Sequence, residues 1–367
     1  MDVLGRTLRE LKVGEPVTFR NLTVFPLFGP AAADPGYMVL DDAVSAGHVR
    51  ITEVNQNGSV PELKLVNDLS TSVLVLDGEE LVGAKQNRVA NLTILAPPQK
   101  AIKIPVSCVE EGRWHHTSPQ FAVAQTVALA GVRVRKARDV SRSLKATRGY
   151  SRSSNQGALW QGIAKRIDRL NVSSDTYAMD DIFAVYDERI QEFCEALQPA
   201  EGQVGACFAI AGKIVGLELF DAPTTFAKLL PKLVRSYALD ALEVASAPMA
   251  VSTVRATGFI QDALMAKREV FPAIGEGEDL RFVDDRITGG ALLVRGRVVH
   301  AAIFDPKAED LVGSGGLAPS SAARSRGRVL SSTTYWPDEE YEEDYEDEED
   351  WENGDEDEEE AEDLFMR

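Results

Sequence analysis

The densest polar chemistry of this chain lies in two short runs, each next to an apolar stretch that is typical of a strand. The first run, residues 79–88, holds two carboxylates, a lysine, an arginine and two amides within ten residues. Such a set can form a recognition surface for a polar or anionic ligand. The sequence contains no fully diagnostic catalytic signature, so it predicts the place of a site but not its reaction. The polar residues of this run are Glu79, Glu80, Lys85, Gln86, Asn87 and Arg88.

The faces on which these side chains lie depend on Gly83. If strand alternation holds from Glu79 onward, Glu80, Gln86 and Arg88 share one face. The whole set could converge only if Gly83 forms a bulge, which is a common use of glycine inside a strand. The alternative is a solvated edge strand, on which charged residues prevent pairing with other chains. Both interpretations stay open from the sequence.

The second run ends in Cys108-Val-Glu-Glu-Gly-Arg113-Trp114. Rhodanese-type and related phosphatase loops place a thiolate and an arginine at comparable spacing around an oxyanion. Here Glu110 and Glu111 would repel an anion and raise the pKa of the thiol, which opposes a reactive thiolate. We therefore predict that Cys108 is a buried structural cysteine.

Metal ligands are weakly represented. His115 and His116 are adjacent, and adjacent side chains on a strand point to opposite faces. His48 and His300 lack the spacing of metal ligands. The sequence thus predicts no metal site.

The fold class follows from three similar segments and three helical ones. Residues 73–82, 207–220 and 291–304 each read as strand, X-Gly-charged turn and strand, the pattern of a hairpin. Residues 156–170, 178–197 and 224–244 have apolar side chains at helical spacing, with a kink or late start at Pro231. We predict an α+β fold, in which an antiparallel or mixed sheet is built from hairpins and helices pack on one side of it. The hairpins also allow a repeat, which the sequence does not settle.

The segment from Arg133 to Arg152 is strongly basic, with only Asp139 opposing its charge. This density indicates a phosphate-rich ligand or an acidic protein surface, or else a solvated helix face or loop. No aromatic residues are interleaved for base stacking, so nucleic acid is not the predicted partner.

The acidic charge of the chain belongs to its last residues. Residues 338–367 hold 20 of the 58 acidic and one of the 39 basic residues, so the rest is balanced at 38 of each. We predict one domain over residues 1–306 with a possible internal boundary near 115–155, a Ser/Gly/Arg-rich linker over 307–336, and a disordered acidic tail over 337–367. The tail could bind a basic partner, or the 133–152 segment in cis, or serve solubility alone.

Composition also bears on location. The three cysteines are scattered without a CxxC pair, and the first residues lack the basic-then-apolar order of a signal peptide. No apolar run approaches the roughly 18 to 20 residues that cross a bilayer. These features predict a cytoplasmic protein without membrane contact.

Several of these strings resemble one bacterial family. Gly78-Glu-Glu-Leu-Val-Gly83, Lys85-Gln-Asn-Arg88 and Cys108-Val-Glu-x-Gly-Arg-Trp114 are similar to the ARPP domain, named for association with ADP-ribosylglycohydrolases and rhodanese–phosphatase superfamily proteins. The resemblance covers about residues 15 to 305 and implies a link to NAD and ADP-ribose metabolism, without an established reaction. It implies a polar site made of Glu79, Glu80, Lys85, Gln86, Asn87, Arg88, Glu110, Arg113 and Trp114.

Two functions are open. The chain could bind, and hydrolyse or transfer, a nucleotide-type ligand such as ADP-ribose or an NAD derivative. Arg88 and Arg113 would then engage phosphate, and Glu79 or Glu80 would be the general base. Alternatively, it is a non-enzymatic interaction module whose polar strand is a docking edge. Convergence of Glu80, Lys85, Arg88 and Arg113 in a cleft would favour the first. The sequence leaves the identity of any cofactor unknown.

Overall fold

The computed structural model of the chain describes residues 2–55, 58–59, 61–244, 249 and 251–311. These residues all fall in one compact unit. The acidic tail, nearly all of the predicted linker and the predicted contact of the tail with residues 133–152 involve residues outside the described part. Those parts of the domain scheme stay predictions.

Helices and strands alternate irregularly along the described chain, and both classes are well represented. The α-helices are α1 (Val3–Glu10), α2 (Leu40–Ser45), α3 (Ala130–Ala146), α4 (Gln156–Leu170), α5 (Met179–Ala196), α6 (Pro223–Glu243) and α7 (Thr253–Met265), followed by a short 3₁₀ helix at Pro306–Leu311.

The largest sheet has nine strands and is antiparallel, in the order β1-β3-β13-β14-β18-β17-β16-β15 with β2 paired to β3. Numbered along the whole chain, its strands are β1 (Lys12–Val13), β2 (Val17–Phe19), β3 (Leu22–Phe28), β13 (Gly205–Ile210), β14 (Lys213–Phe220), β15 (Arg268–Pro272), β16 (Glu278–Phe282), β17 (Thr288–Val294) and β18 (Arg297–Phe304).

Two smaller sheets carry the middle of the chain. One has three strands in the order β10-β7-β4, and the other has six in the order β12-β8-β9-β11-β6-β5. Their strands are β4 (Tyr37–Val39), β5 (Val49–Glu53), β6 (Glu62–Asn67), β7 (Ser72–Val75), β8 (Glu79–Gly83), β9 (Arg88–Ala90), β10 (Ile94–Ala96), β11 (Lys100–Cys108) and β12 (Phe121–Val127).

Two of the three predicted hairpins are confirmed. β13 and β14 turn at Ala211-Gly212, and β17 and β18 turn at Arg295-Gly296, with positive φ at every turn residue. That is the backbone a two-residue hairpin loop requires. The hairpin predicted over residues 73–82 is wrong, because β7 pairs with β4 and β10 whereas β8 pairs with β9 and β12.

The α+β fold class is confirmed, but helices cover both faces of the large sheet rather than the one predicted. Neighbouring residues of β13 show this, since Phe208 packs in the cluster that contains Phe226 of α6, and Cys207 packs with Leu4 of α1 and Phe259 of α7. Helix α7 and strands β15 and β16 were not predicted. Helix α6 continues through Pro231, which is therefore not a late start.

Within the described residues, no helix is long and apolar enough to cross a membrane.

Candidate functional site

The first polar run folds into a buried hairpin inside the six-stranded sheet. β8 ends at Gly83, whose φ is 118°, and a Cβ there would lie 2.4 Å from Ser118 Oγ, so only glycine fits. Gly83 therefore ends the strand instead of forming a bulge within it. The solvated edge strand is wrong as well, since β8 and β9 each have partners on both sides.

The pairing of β8 with β9 divides the predicted site residues. Glu80 pairs with Val89, and Leu81 pairs with Arg88. Directly paired residues share a face and successive residues alternate, so Glu80 and Arg88 point to opposite sides of these strands. The four residues whose convergence was to favour a ligand cleft thus do not all meet. One group surrounds Arg88, and Glu80 lies on the other side.

A buried ion pair between Glu110 and Arg113 holds the loop over residues 84–87. Arg113 Nε and Nη2 donate to the two carboxylate oxygens at 2.8 and 2.7 Å. Its remaining donors bond to nearby oxygens, among them the Ala84 carbonyl at 2.7 Å and Asn87 Oδ1 at 3.0 Å. Since the protein uses these donors itself, Arg113 positions the loop rather than offering its charge to a phosphate.

Glu110 is the acidic centre of this arrangement. It also accepts the Asn87 N–H at 3.0 Å and the Thr176 hydroxyl at 2.8 Å. Burial alone would raise the pKa of Glu110, but the hydrogen bonds from Arg113, Asn87 and Thr176 outweigh burial and lower that pKa. Glu110 is therefore ionised and engaged inside the protein.

Arg88 is different, because two of its three guanidinium nitrogens have no hydrogen-bond partner among the described residues. The side chain is completely buried, and Nη1 donates to Gln86 Oε1 at 3.0 Å. Within the described residues, Nε and Nη2 have no hydrogen-bond partner. These two donors lie on the same side of the guanidinium, where they match two oxygens of one phosphate or carboxylate. A buried cation with unmet donors is costly, so this side of Arg88 is suited to an anion.

Trp114 covers this guanidinium. The ring centroid lies 5.6 Å from Arg88 Cζ and 5.2 Å from Lys85 Nζ, within the range of cation–π attraction. A Cβ on Gly58 would lie 3.4 Å from Trp114 Cζ2, so the chain near Gly58 approaches the ring as well. The Trp114 residue itself is 48% exposed. Trp114 thus separates Arg88 from solvent while keeping much of its own surface accessible.

Glu53, which the sequence did not indicate, completes the group around Arg88. Its Oε1 accepts the Lys85 N–H at 3.4 Å, and its Oε2 is buried without a partner in the described part of the chain. Burial lowers the pKa of Arg88, while the nearby Cys108 and Glu53 oppose that change. Glu53 is the last residue of β5, and β5 and β12 are the two edge strands of the six-stranded sheet. These two edges approach each other, which brings Glu53 close to Arg88.

Cys108 behaves as predicted. It is fully buried, and burial raises the pKa of its thiol to about 11, although Arg88 acts in the opposite direction. The thiol is neutral at physiological pH and therefore a poor nucleophile.

The two carboxylates that were predicted to be catalytic differ in how many of their oxygens have a hydrogen-bond partner. Glu79 forms a buried ion pair with Lys232 through Oε1 and accepts the Leu76 N–H at 3.0 Å through Oε2. Glu80 accepts the Thr126 hydroxyl at 2.7 Å through Oε2, and its Oε1 has no partner among the described residues. Only Glu80 keeps an oxygen available.

Glu80 should make stability depend on pH. Burial, reinforced by the nearby Asp180, raises its pKa to about 8. Between about pH 4.5 and pH 8 the folded chain keeps this proton and the unfolded chain loses it, so stability falls as pH rises through this window. We expect Glu80→Gln to remove that decline, which amounts to several kcal/mol at most.

Urea unfolding of the wild type and of Glu80→Gln at pH 5, 6.5 and 8 checks this expectation. Glu188→Gln, at an exposed position of α5, is the control that should follow the wild type at each pH. Parallel stability profiles for wild type and Glu80→Gln would contradict the raised pKa.

A cluster of buried charges joins α3 to the large sheet, and the sequence did not reveal it. Arg133 and Glu218 form an ion pair at 2.6 Å whose side chains are both 0% exposed. Tyr237 donates to Glu218 Oε1 at 3.1 Å, and His300 Nε2 lies 3.1 Å from Oε2. Burial would raise the pKa of Glu218, but Arg133 and His300 lower it. The basic segment thus supplies part of the core.

Thr93, His300 and Glu218 are linked by hydrogen bonds in a series, in this order. The order resembles the nucleophile, base and carboxylate of a catalytic triad. The Thr93 hydroxyl lies 2.7 Å from His300 Nδ1, and it accepts the Asp77 N–H at 3.1 Å. The adjoining cavity, lined by Asp77 and Thr93 among others, measures about 10 Å³. That volume holds at most one water molecule, so the series has no room for a substrate and stabilises the fold.

The predicted histidine pair lies elsewhere. His115 and His116 are exposed on the loop between β11 and β12. In the described part of the chain, no group of three or more His, Cys, Asp or Glu residues is arranged to hold a metal ion.

Comparison with known proteins identifies one family. No curated protein and no solved structure gives a significant match to the chain. The sequence model of ARPP-1, the ARG and Rhodanese-Phosphatase-superfamily-associated Protein domain, matches residues 10–304. This match includes the loop at residues 84–87, Arg88, the Glu110–Arg113 ion pair and Trp114. The chain therefore belongs to the ARPP-1 domain family.

Proposed function

We propose that the chain binds a nucleotide-type ligand, ADP-ribose or an NAD derivative, through a phosphate placed on the unpaired side of Arg88. The observation that carries this proposal is the pair of buried Arg88 donors, Nε and Nη2, beneath Trp114. The choice of ligand is supported by the family name, which refers to association with ADP-ribosylglycohydrolases.

The neighbouring residues have distinct roles in this proposal. Gln86 fixes Nη1 of Arg88 and thereby directs Nε and Nη2 toward the ligand. Asn87 accepts the Gly83 N–H at 3.1 Å and holds the loop in place. Lys85 adds positive charge near the phosphate, and Trp114 moves aside to admit the ligand and then stacks on its base. The Glu110–Arg113 ion pair positions this loop.

Binding is the first claim, and a reaction is a further step. Hydrolysis or transfer would need a general base. Glu80 has the free oxygen and the raised pKa for that role, but it faces away from Arg88. Incubation of the full chain with NAD or ADP-ribose, with product analysis, tests whether turnover accompanies binding.

The competing hypothesis of a docking edge loses its basis in the sheet. Both β8 and β9 lie between other strands, so their backbone groups are already paired. A basic partner for the acidic tail would involve residues outside the described part of the chain.

Arg88→Met should abolish ligand binding without unfolding the protein. The variant removes a buried side chain that makes one hydrogen bond to the described residues, and methionine keeps much of its apolar volume, so the ligand-free protein should remain folded. A ligand at about 100 times its Kd adds about 2.7 kcal/mol of stability to the wild type. We expect the Tm of the wild type to rise with ADP-ribose or NAD, and that of Arg88→Met to stay constant.

The control is Arg50→Met, which removes an exposed arginine that pairs with Asp68 on the same sheet. It should keep the full ligand-induced rise in Tm. The proposal fails if no nucleotide raises the Tm of the wild type, or if Arg88→Met retains the rise.

A further inference from the structure

The basic segment over residues 133–152 has two faces with different surroundings. Arg133 and Lys136 point into the core, where Glu218 and Asp77 neutralise them. Further along α3, Arg142 and Lys145 are exposed. The buried ion pairs explain why Arg133 and Lys136, the inward half of the segment, are basic. They do not explain the positive charge of Arg142 and Lys145, the outward half.

The outward half lines the wall of an open cavity of about 390 Å³. This volume falls in the range of small-molecule sites, about 300 to 1,000 Å³. The cavity lies between the C-terminal half of α3 and the turn that joins β16 to β17. Its lining residues are Arg138, Ser141, Arg142, Lys145, Phe282, Val283, Asp284, Asp285, Thr288 and Pro306.

Ser141 is an independent sign that this cavity takes a polar ligand. The residue is 7% exposed, and its hydroxyl is buried without a hydrogen-bond partner in the described part of the chain. A serine in a helix commonly bonds back to a carbonyl of its own helix, but Ser141 does not. Ser141 is one of the residues that line the cavity.

The cations beside Ser141 differ in availability. Arg138 is engaged by Glu309 at 3.2 Å and by the Pro306 carbonyl at 3.1 Å. The Arg142 side chain is 73% exposed, and Asp139 reaches it only at 3.8 Å. An exposed pair at that distance contributes little, so Arg142 can turn to an anion in the cavity.

The wall of the cavity opposite α3 is acidic, because it carries Asp284 and Asp285. Asp284 uses its carboxylate to accept the N–H groups of Lys267 and Arg286, which shapes the turn, and Asp285 is exposed beside it. Carboxylates accept hydrogen bonds from ligand hydroxyl groups. Val283, which is partly exposed, supplies an apolar surface between the two walls.

We propose that this cavity binds a small phosphorylated polyol, a compound of the sugar phosphate class. The phosphate lies against Arg142, Lys145 and the Ser141 hydroxyl. The polyol hydroxyls donate to Asp285 and its neighbours, and the carbon skeleton packs on Val283. This site shares no residue with the one around Arg88, so either can fail independently.

Calorimetric titration of the full-length chain tests the proposal with ribose 5-phosphate, glucose 6-phosphate, inorganic phosphate and ribose. We expect a sugar phosphate to bind more tightly than inorganic phosphate or ribose alone. Arg142→Ala should weaken that binding by about tenfold or more, the usual effect of losing a charge-assisted hydrogen bond. Ser141→Ala removes a hydroxyl without a partner among the described residues, so it should fold normally and weaken binding by a smaller factor.

Two controls identify the site. Arg6→Ala removes an exposed arginine of α1, and Arg88→Met removes the other anion site; neither should change sugar phosphate binding. The proposal is overturned if neither sugar phosphate binds, if inorganic phosphate binds as tightly as they do, or if Arg142→Ala has no more effect than Arg6→Ala. Loss of binding in Arg88→Met with retention in Arg142→Ala would also overturn it.

Discussion

Replacing Glu218 by glutamine is expected to destabilise the protein by about 3 to 5 kcal/mol, the usual cost of breaking a buried ion pair from one side. Glu218 accepts hydrogen bonds from Arg133 and Tyr237 and lies within bonding distance of His300. Glutamine keeps the shape but removes the nearer of two counter-charges of the buried Arg133, whose Nε also lies 3.4 Å from the Asp77 carboxylate. Since a typical domain has about 5 to 15 kcal/mol of stability in all, this change should be obvious in urea unfolding.

Glu192→Gln is the matched control for Glu218. Its partner is Arg20, and both side chains are more than 40% exposed. An exposed pair contributes about 0 to 1 kcal/mol. Equal effects of the two substitutions would show that the buried cluster does not hold α3 against the sheet.

Arg113→Ala is expected to cost a similar amount, about 3 to 5 kcal/mol at neutral pH, because it leaves Glu110 buried and unpaired. The lowered pKa of Glu110 gives this effect a pH dependence. Its pairing stabilises the fold above the unfolded pKa of about 4.3 and is lost as pH falls through the lower folded pKa. The difference between wild type and variant should therefore shrink in acid.

Unfolding of Arg113→Ala, Glu110→Gln and the double variant measures the coupling of the pair directly. Arg142→Ala, which removes an exposed side chain with a weak contact to Asp139, is the control and should change stability by less than about 1 kcal/mol. Additive effects of the Arg113 and Glu110 substitutions would contradict the assigned ion pair.

The parts of the fold that the sequence predicts well depend on local backbone chemistry. Ala211-Gly212 and Arg295-Gly296 specify tight turns between apolar strands, and both hairpins form. Asp77-Gly78 has the same local pattern and Gly78 has a positive φ, yet no β7–β8 hairpin forms. There Lys136 binds the Asp77 carboxylate and Gly78 donates to the Ala90 carbonyl, so contacts with distant residues override the turn signal.

The basic segment shows why buried charge is hard to predict. A run rich in arginine and lysine favours an exposed surface, and Arg142 and Lys145 obey that expectation. Arg133 and Lys136 do not, because Glu218 and Asp77 lie opposite them in the folded chain. Those partners are 85 and 59 residues away in sequence, beyond the reach of any local pattern.

The candidate site was predicted in part. Residues 85–88 and 110–114 do lie together, with Trp114 above Arg88 and the Glu110–Arg113 ion pair below the loop. Glu80 on the opposite face and Glu53 near Arg88 could not be derived, because they depend on where β8 ends and on how β5 approaches β12. The sequence also does not distinguish Arg113, whose donors bond to the protein, from Arg88, two of whose nitrogens have no partner among the described residues. That difference is visible only in the folded structure.

The side-chain Nε–H signal of Arg88, followed by NMR during titration with ADP-ribose or NAD, tests the central claim most directly. Assignment comes from the signal that disappears in Arg88→Met, and Arg50 is the reference. Phosphate bound on the unpaired side of Arg88 should shift this Nε–H signal strongly and leave that of Arg50 in place. An Arg88 signal that does not move at saturating concentrations of either nucleotide would contradict the account.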